Sequence, residues 1–111
     1  MKKQDELREL DAKVAERVMG VDLNPDLYRI EDNNMLTIPA YGSDIKAAWL
    51  VVEKMRERSR IEIIDDGMSW VVGLHDLDVL VSAPTAPEAI CLAALAAVEA
   101  VELIKEYEKG E

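Results

Sequence analysis

Residues 61–83, IEIIDDGMSWVVGLHDLDVLVSA, decide the fold. Three short runs rich in Ile, Val and Leu are separated by turn residues, which is the pattern of strands joined by hairpins. The runs are Ile61–Ile64, Ser69–Leu74 and Leu77–Ala83. Asp65-Asp66-Gly67 supplies the first turn, because Gly tolerates a positive φ. His75-Asp76 supplies a tight second one. Side chains alternate along a strand, so Trp70, Val72 and Leu74 share a face, as do Leu77, Val79, Val81 and Ala83. Leu80 and Val71 point the other way. Apolar residues on both faces predict that helices cover at least part of each.

On the C-terminal side, Thr85-Ala86-Pro87-Glu88 has the form of a capping box with Pro in the first turn. It opens a helix predicted over residues 86–108, with an Ala-rich stretch from Ala89 to Val101 that can lie close to a sheet. On the N-terminal side, a helix is predicted over 44–58, with Ser43 or Asp44 as N-cap. Ile45, Ala48, Trp49, Val52 and Met55 or Arg56 trace its expected buried side. Leu7, Leu10, Val14 and Val18 recur at spacings of three and four, predicting an N-terminal helix over 3–19 that stops at Gly20. Residues 21–42 carry no helical period and read as a long loop, with a short strand considered at Met35–Ile38.

The predicted fold is therefore α+β. An N-terminal helix precedes an α-β-β-β-α unit over 43–108, arranged as a three-layer α/β/α sandwich with an antiparallel sheet. The whole of residues 1–111 suits one domain. The composition is globular, with 50% hydrophobic and 32% charged residues.

The net charge of −10 comes from 13 basic and 23 acidic residues. Such a surface repels phosphate backbones, so neither DNA nor RNA is an expected partner, and anionic membranes are disfavoured likewise. The α-β-β-β-α order is also that of the double-stranded RNA-binding module. That module needs basic residues at the start of its last helix, whereas Thr85-Ala86-Pro87-Glu88 is followed by no Lys or Arg before Lys105. Cys91 is the only cysteine, which excludes an internal disulfide and a cysteine-based zinc site and suits a reducing cytoplasm. No secretory leader or membrane-spanning run is expected. The half-apolar composition and two helices able to find partners predict self-association, most simply as a symmetric dimer.

Catalytic signatures are sparse. His75 is the only histidine, and no Gly-x-Ser-x-Gly elbow accompanies Ser69 or Ser82. His75 reads as a solvated turn residue, and Cys91 as a buried structural thiol. Asp22, Asp26, Glu31 and Asp32 lack the spacing of a calcium loop, so no metal is expected. No phosphate loop or dinucleotide fingerprint occurs, and no cofactor is expected. The best candidate pocket joins Tyr41, Ser43, Asp44, Trp49 and Trp70. The alternative for each is plain: Ser43 and Asp44 cap a helix, and the tryptophans fill a core that has no Phe.

Three segments carry a family resemblance. They are Leu10–Gly20 (LDAKVAERVMG), Ile38–Trp49 (IPAYGSDIKAAW) running into Val51–Met55, and Thr85–Leu95 (TAPEAICLAAL). In order and spacing the chain resembles the phage ABA-sandwich domain, a family of short phage and prophage proteins. The resemblance implies an antiparallel sheet between helical layers and a viral or prophage gene. It supplies no catalytic residues. Val21–Leu36 lies outside that pattern.

The expected function is that of a small, non-catalytic accessory protein of the host-cell cytoplasm. It would sequester a host nucleotide immune signal or a host protein. The alternatives are a small hydrolase or transferase working through Asp65, Asp66 or His75, and a purely structural interaction module. The expected ligand site is Tyr41, Ser43 and Asp44 with Trp49, beside Thr85, where helix N-termini offer free N–H groups. Arg56, Arg58 and Arg60 add positive charge if the fold, or a second subunit, brings them near.

Overall fold

The computed structural model describes residues 2–20 and 38–109, with residues 2 and 101–109 described as backbone alone. The loop expected at 21–42 and the strand considered at Met35–Ile38 therefore fall largely outside the described residues. Ile38 itself is half-buried against the core.

Helix α1 spans Lys2–Lys13 and continues as a wider π-turn over Val14–Val18. Its end is closed by the Met19 N–H donating to the Val14 carbonyl at 3.0 Å, and Gly20 then takes a φ of 74°. A left-handed residue after the last turn is what Gly permits. Helix α2 spans Ile45–Arg56, with Asp44 as N-cap accepting from the Lys46 N–H. Strands β1 (Ile61–Asp65), β2 (Trp70–Leu74) and β3 (Val79–Ala83) follow. They form an antiparallel sheet in the order β1-β2-β3. Helix α3 spans Ala86–Lys109.

Both hairpins follow from local chemistry. Between β1 and β2 the Asp65 carboxylate accepts the Gly67 N–H at 2.9 Å. The Asp66 carboxylate accepts the N–H groups of Met68 (2.9 Å) and Ser69 (2.6 Å). Gly67 has φ 91°. These bonds hold the Asp66 carboxyl below its ordinary pKa, the Met68 amide contributing most. Between β2 and β3, His75–Leu77 make one 3-10 turn and Asp78 sits left-handed at φ 53°.

The register places Ile63, Val72 and Val81 in one row and Ile61, Leu74 and Val79 in another. Helices α2 and α3 pack over this face, and α1 with its π-turn packs on α3. The core joins Val72, Leu74 and Ala83 of the sheet to Val51, Val52 and Met55 of α2. It is completed by Ile90, Cys91 and Ala94 of α3 and by Leu10, Val14 and Val18.

The α+β sandwich class and the antiparallel sheet hold. Two packing details differ from the sequence reading. Among the described residues no helix covers the second sheet face, where Leu80 is 75% exposed and Ile64 41%. On α2, Ile45 and Trp49 were expected inside but are about half exposed, whereas Ala47 and Val51 are buried. The helix packs against both the sheet and α3, so its buried arc centres on Ala48, Val51, Val52 and Met55. Small Ala47 and Ala48 permit close approach, and the Trp49 ring falls at the rim. Trp70 is partly buried and packs against the core.

Candidate functional site

The end of α2 and the start of β1 turn a sharp corner. Arg58 and Ser59 N–H groups both donate to the Met55 carbonyl, at 2.9 and 3.0 Å, which closes the helix. Two residues after Ser59, at Ile61, the chain is already paired in the sheet. This corner is pinned to the turn after β2. The His75 N–H donates to the Arg60 carbonyl at 3.1 Å, and the Asp76 N–H donates to Ser59 Oγ at 3.0 Å. Ser59 Oγ in turn donates to the Arg60 carbonyl, and the Arg60 N–H donates to the Asp76 carboxylate at 2.9 Å.

The corner borders an open surface cleft of about 500 Å³ lined by Arg56, Arg58, Ser59, Arg60, Ile61 and Asp76. Three arginines and one aspartate thus line one opening, a local excess of positive charge on a chain of net charge −10. Arg60 Nη2 lies 3.6 Å from Asp76 Oδ1. Arg56 and Arg58 have no ion-pair partner among the described residues and are exposed. A guanidinium offers five donors in a planar fork, suited to a phosphate or carboxylate.

The other expected site residues lie elsewhere. Tyr41 is 3% exposed, while Ser43 and Asp44 are exposed at the N-terminus of α2. Helix α2 is twelve residues long, or about 18 Å at 1.5 Å per residue. Asp44 therefore stands a helix length from Arg56. Trp49 occupies the middle of that helix. Thr85 caps α3, its Oγ1 accepting the Glu88 N–H at 3.3 Å. The Glu88 carboxylate goes to Lys3 Nζ at 2.6 Å. The structure thus gathers the three arginines with one another and not with Tyr41, Ser43, Asp44 or Thr85.

The turn at 41–44 has a partner that the sequence reading missed. The Asp11 carboxylate on α1 accepts the Gly42 N–H at 2.7 Å in a buried contact. Burial raises the Asp11 pKa, and the Gly42 bond opposes the rise. The signal was present in the sequence: Asp11 stands four residues after Leu7 and three before Val14, a carboxylate on an apolar stripe. Asp76 was likewise missed, and its turn position gave no hint of the arginine cleft.

Of the residues considered for catalysis, His75 is paired and Cys91 is buried. His75 Nε2 and Glu62 Oε2 are 2.8 Å apart, both exposed. Cys91 is buried, and burial pushes its thiol up to about 12 with Asp11 and Glu88 adding to the rise. Among the described residues, no group of three or more His, Cys, Asp or Glu side chains is placed to hold a metal. No helix of the described residues is long and apolar enough to cross a membrane.

Residues 12–95 match the family model described as the phage ABA sandwich domain. Among solved structures, the chain is similar to a phage protein from Bacillus cereus ATCC 14579. The two share 29% identity and a TM-score of 0.60, over 82% of this chain and 90% of that one. No match is found among curated proteins. The match over 12–95 and the shared fold together show that this chain belongs to the phage ABA sandwich domain family.

Proposed function

We propose that this phage-family protein is a binding protein without catalytic turnover, and that it holds a small anionic ligand in the arginine cleft. The observation that carries the reading is the convergence of Arg56, Arg58 and Arg60 on one opening of about 500 Å³. On an acidic chain, three clustered arginines repel one another unless an anion sits among them. Among the described residues, Asp76 pairs with one of them, Arg60. The volume suits a compact phosphorylated molecule of the nucleotide class, in keeping with sequestration of a host nucleotide signal. A small acidic segment of a host protein would meet the same chemistry.

The competing enzymatic reading has less support. Asp66 is engaged by two N–H groups and the Ser69 hydroxyl, which suits a turn more than a general acid or base. The paired His75 and Glu62 have no nucleophilic side chain bonded to them among the described residues.

The test is calorimetric titration of the protein with cyclic and linear nucleotides and with inorganic phosphate, at low and high salt. Binding that weakens with salt, and that falls at least about tenfold in Arg56→Ala/Arg58→Ala, supports the reading. Ligand recovered intact after heat release agrees with sequestration, and chemically altered ligand would point to the enzyme. Unchanged affinity in the double variant would sink the assignment of the cleft.

A further inference from the structure

The two edges of the sheet differ. In the β1–β2 hairpin the Asp66 N–H donates to the Ser69 carbonyl, and the His75 N–H to the Arg60 carbonyl. Hydrogen-bonded pairs alternate along an antiparallel ladder. With the observed register, Glu62–Gly73 and Ile64–Val71 are then the bonded pairs between these two. The backbone groups of Trp70, Val72 and Leu74 consequently face β3, where they meet Ala83, Val81 and Val79. It follows that the N–H and C=O groups of Leu80 and Ser82 point outward from the β3 edge. On β1 the outward groups are those of Ile61, Ile63 and Asp65.

Protected edges carry charge, Pro or a bulge. β1 carries Glu62 and Asp65 and follows Arg60. β3 reads Val-Leu-Val-Ser-Ala, with no charge and no Pro inside it. Asp78, left-handed at φ 53°, and Pro84 mark its ends, leaving one short pairing window.

We propose that a second copy of this chain pairs with the first across the β3 edge, antiparallel and about a two-fold axis at Val81. The edge is self-complementary in that arrangement. Leu80 N–H and C=O meet the C=O and N–H of the second copy's Ser82, and Ser82 meets the second copy's Leu80 in the same way. All four outward donors are thereby satisfied. The exposed Leu80 side chain comes within diagonal reach of its mate on the open face. The helices fit the same geometry. α3 packs across β2 and β3, so at about 4.8 Å between strands the two α3 axes lie about 10 Å apart, the separation at which helices pack. Leu92, 36% exposed and the largest exposed apolar side chain described on α3, is available to that contact. Two copies form one six-stranded sheet with the arginine cleft of each at its outer β1 edge, and the proposal does not depend on what the cleft holds.

The test is sedimentation equilibrium across the micromolar range, with amide hydrogen exchange at each concentration. The wild-type protein is expected to show a monomer–dimer equilibrium, and the Leu80 and Ser82 amides to gain protection as dimer forms. Ser82→Pro removes one outward donor from each copy at a site where an edge strand tolerates Pro. It is expected to weaken dimerisation at least about tenfold with the circular dichroism spectrum unchanged. A wild-type monomer throughout the range, or a dimer whose Leu80 and Ser82 amides exchange as fast as in the monomer, would overturn the proposal. So would protection of both amides in the monomer, or a folded Ser82→Pro protein that dimerises like wild type. Should Ser82→Pro not fold, the exchange data on the wild type decide.

Discussion

Asp11→Ala is the most informative single change. In the native structure the Asp11 carboxylate accepts the Gly42 N–H at 2.7 Å in a buried contact that joins α1 to the turn preceding α2. Alanine would leave that donor buried and unpaired, which costs about 1–3 kcal/mol. For a domain near this size, 1 kcal/mol moves Tm by about 4–8 °C, so Tm should fall by roughly 4–24 °C. Asp11→Asn keeps an acceptor for Gly42 and removes the buried charge, so it should lose much less. The pH dependence separates the two contributions. Burial raises the Asp11 pKa above 3.8 in the folded state, so the folded protein binds this proton more tightly than the unfolded chain. Stability from this group is therefore fully present below pH 3.8 and lost as pH rises through the folded pKa. Asp11→Asn should flatten that part of the stability–pH profile. Urea and thermal melts of the three proteins between mildly acidic and neutral pH are the assay. If Asp11→Ala melts with wild type at pH 7, the latch has no energetic weight and the reasoning fails.

Other outcomes follow from the same packing. A methyl added at Gly42 would meet Asp11 Oδ1 at 3.1 Å and Leu10 Cδ2 at 3.2 Å, so Gly42→Ala should cost about 1–3 kcal/mol, read from denaturant melts. Cys91, with its thiol pushed up to about 12, should resist thiol reagents at pH 8 in the folded protein and react once urea unfolds it; rapid native labelling would contradict its burial. Trp49, half exposed, should cost about 1 kcal/mol or less when replaced by Ala. Trp70→Ala should cost more than that, though less than the about 3–5 kcal/mol of a fully buried ring; equal melting of the two variants would refute this order. Thr85→Ala should cost about 1 kcal/mol through loss of the α3 cap, measurable as a shift in the urea midpoint.

The sequence by itself determined what nearest neighbours along the chain control. Alternation in Trp70–Leu74 and Val79–Ala83 put the right side chains on the core face, because a strand has a period of two and a short hairpin allows little register error. Asp44 and Thr85 were legible as caps because a cap bonds to N–H groups two or three residues away. Gly20 was legible as a stop because its left-handed φ is a property of one residue. The clustering of Arg56, Arg58 and Arg60 was half legible, since they lie within five residues of one another. That they face one cleft with Asp76 depended on the corner being bonded to the turn after β2. Tertiary structure alone decided the rest. It set the Asp11–Gly42 bond across 31 residues, the length of α2 between Asp44 and the arginines, and the rotation that buries Ala47 while leaving Trp49 at the rim. A helix's apolar stripe fixes which side faces inward only to within a residue or so; the flank that is finally buried depends on how many neighbours it packs against. The second face of the sheet, which no helix of the described residues covers, has the same origin, since Val71, Ile64 and Leu80 supply apolar side chains but nothing in their spacing says which helix arrives.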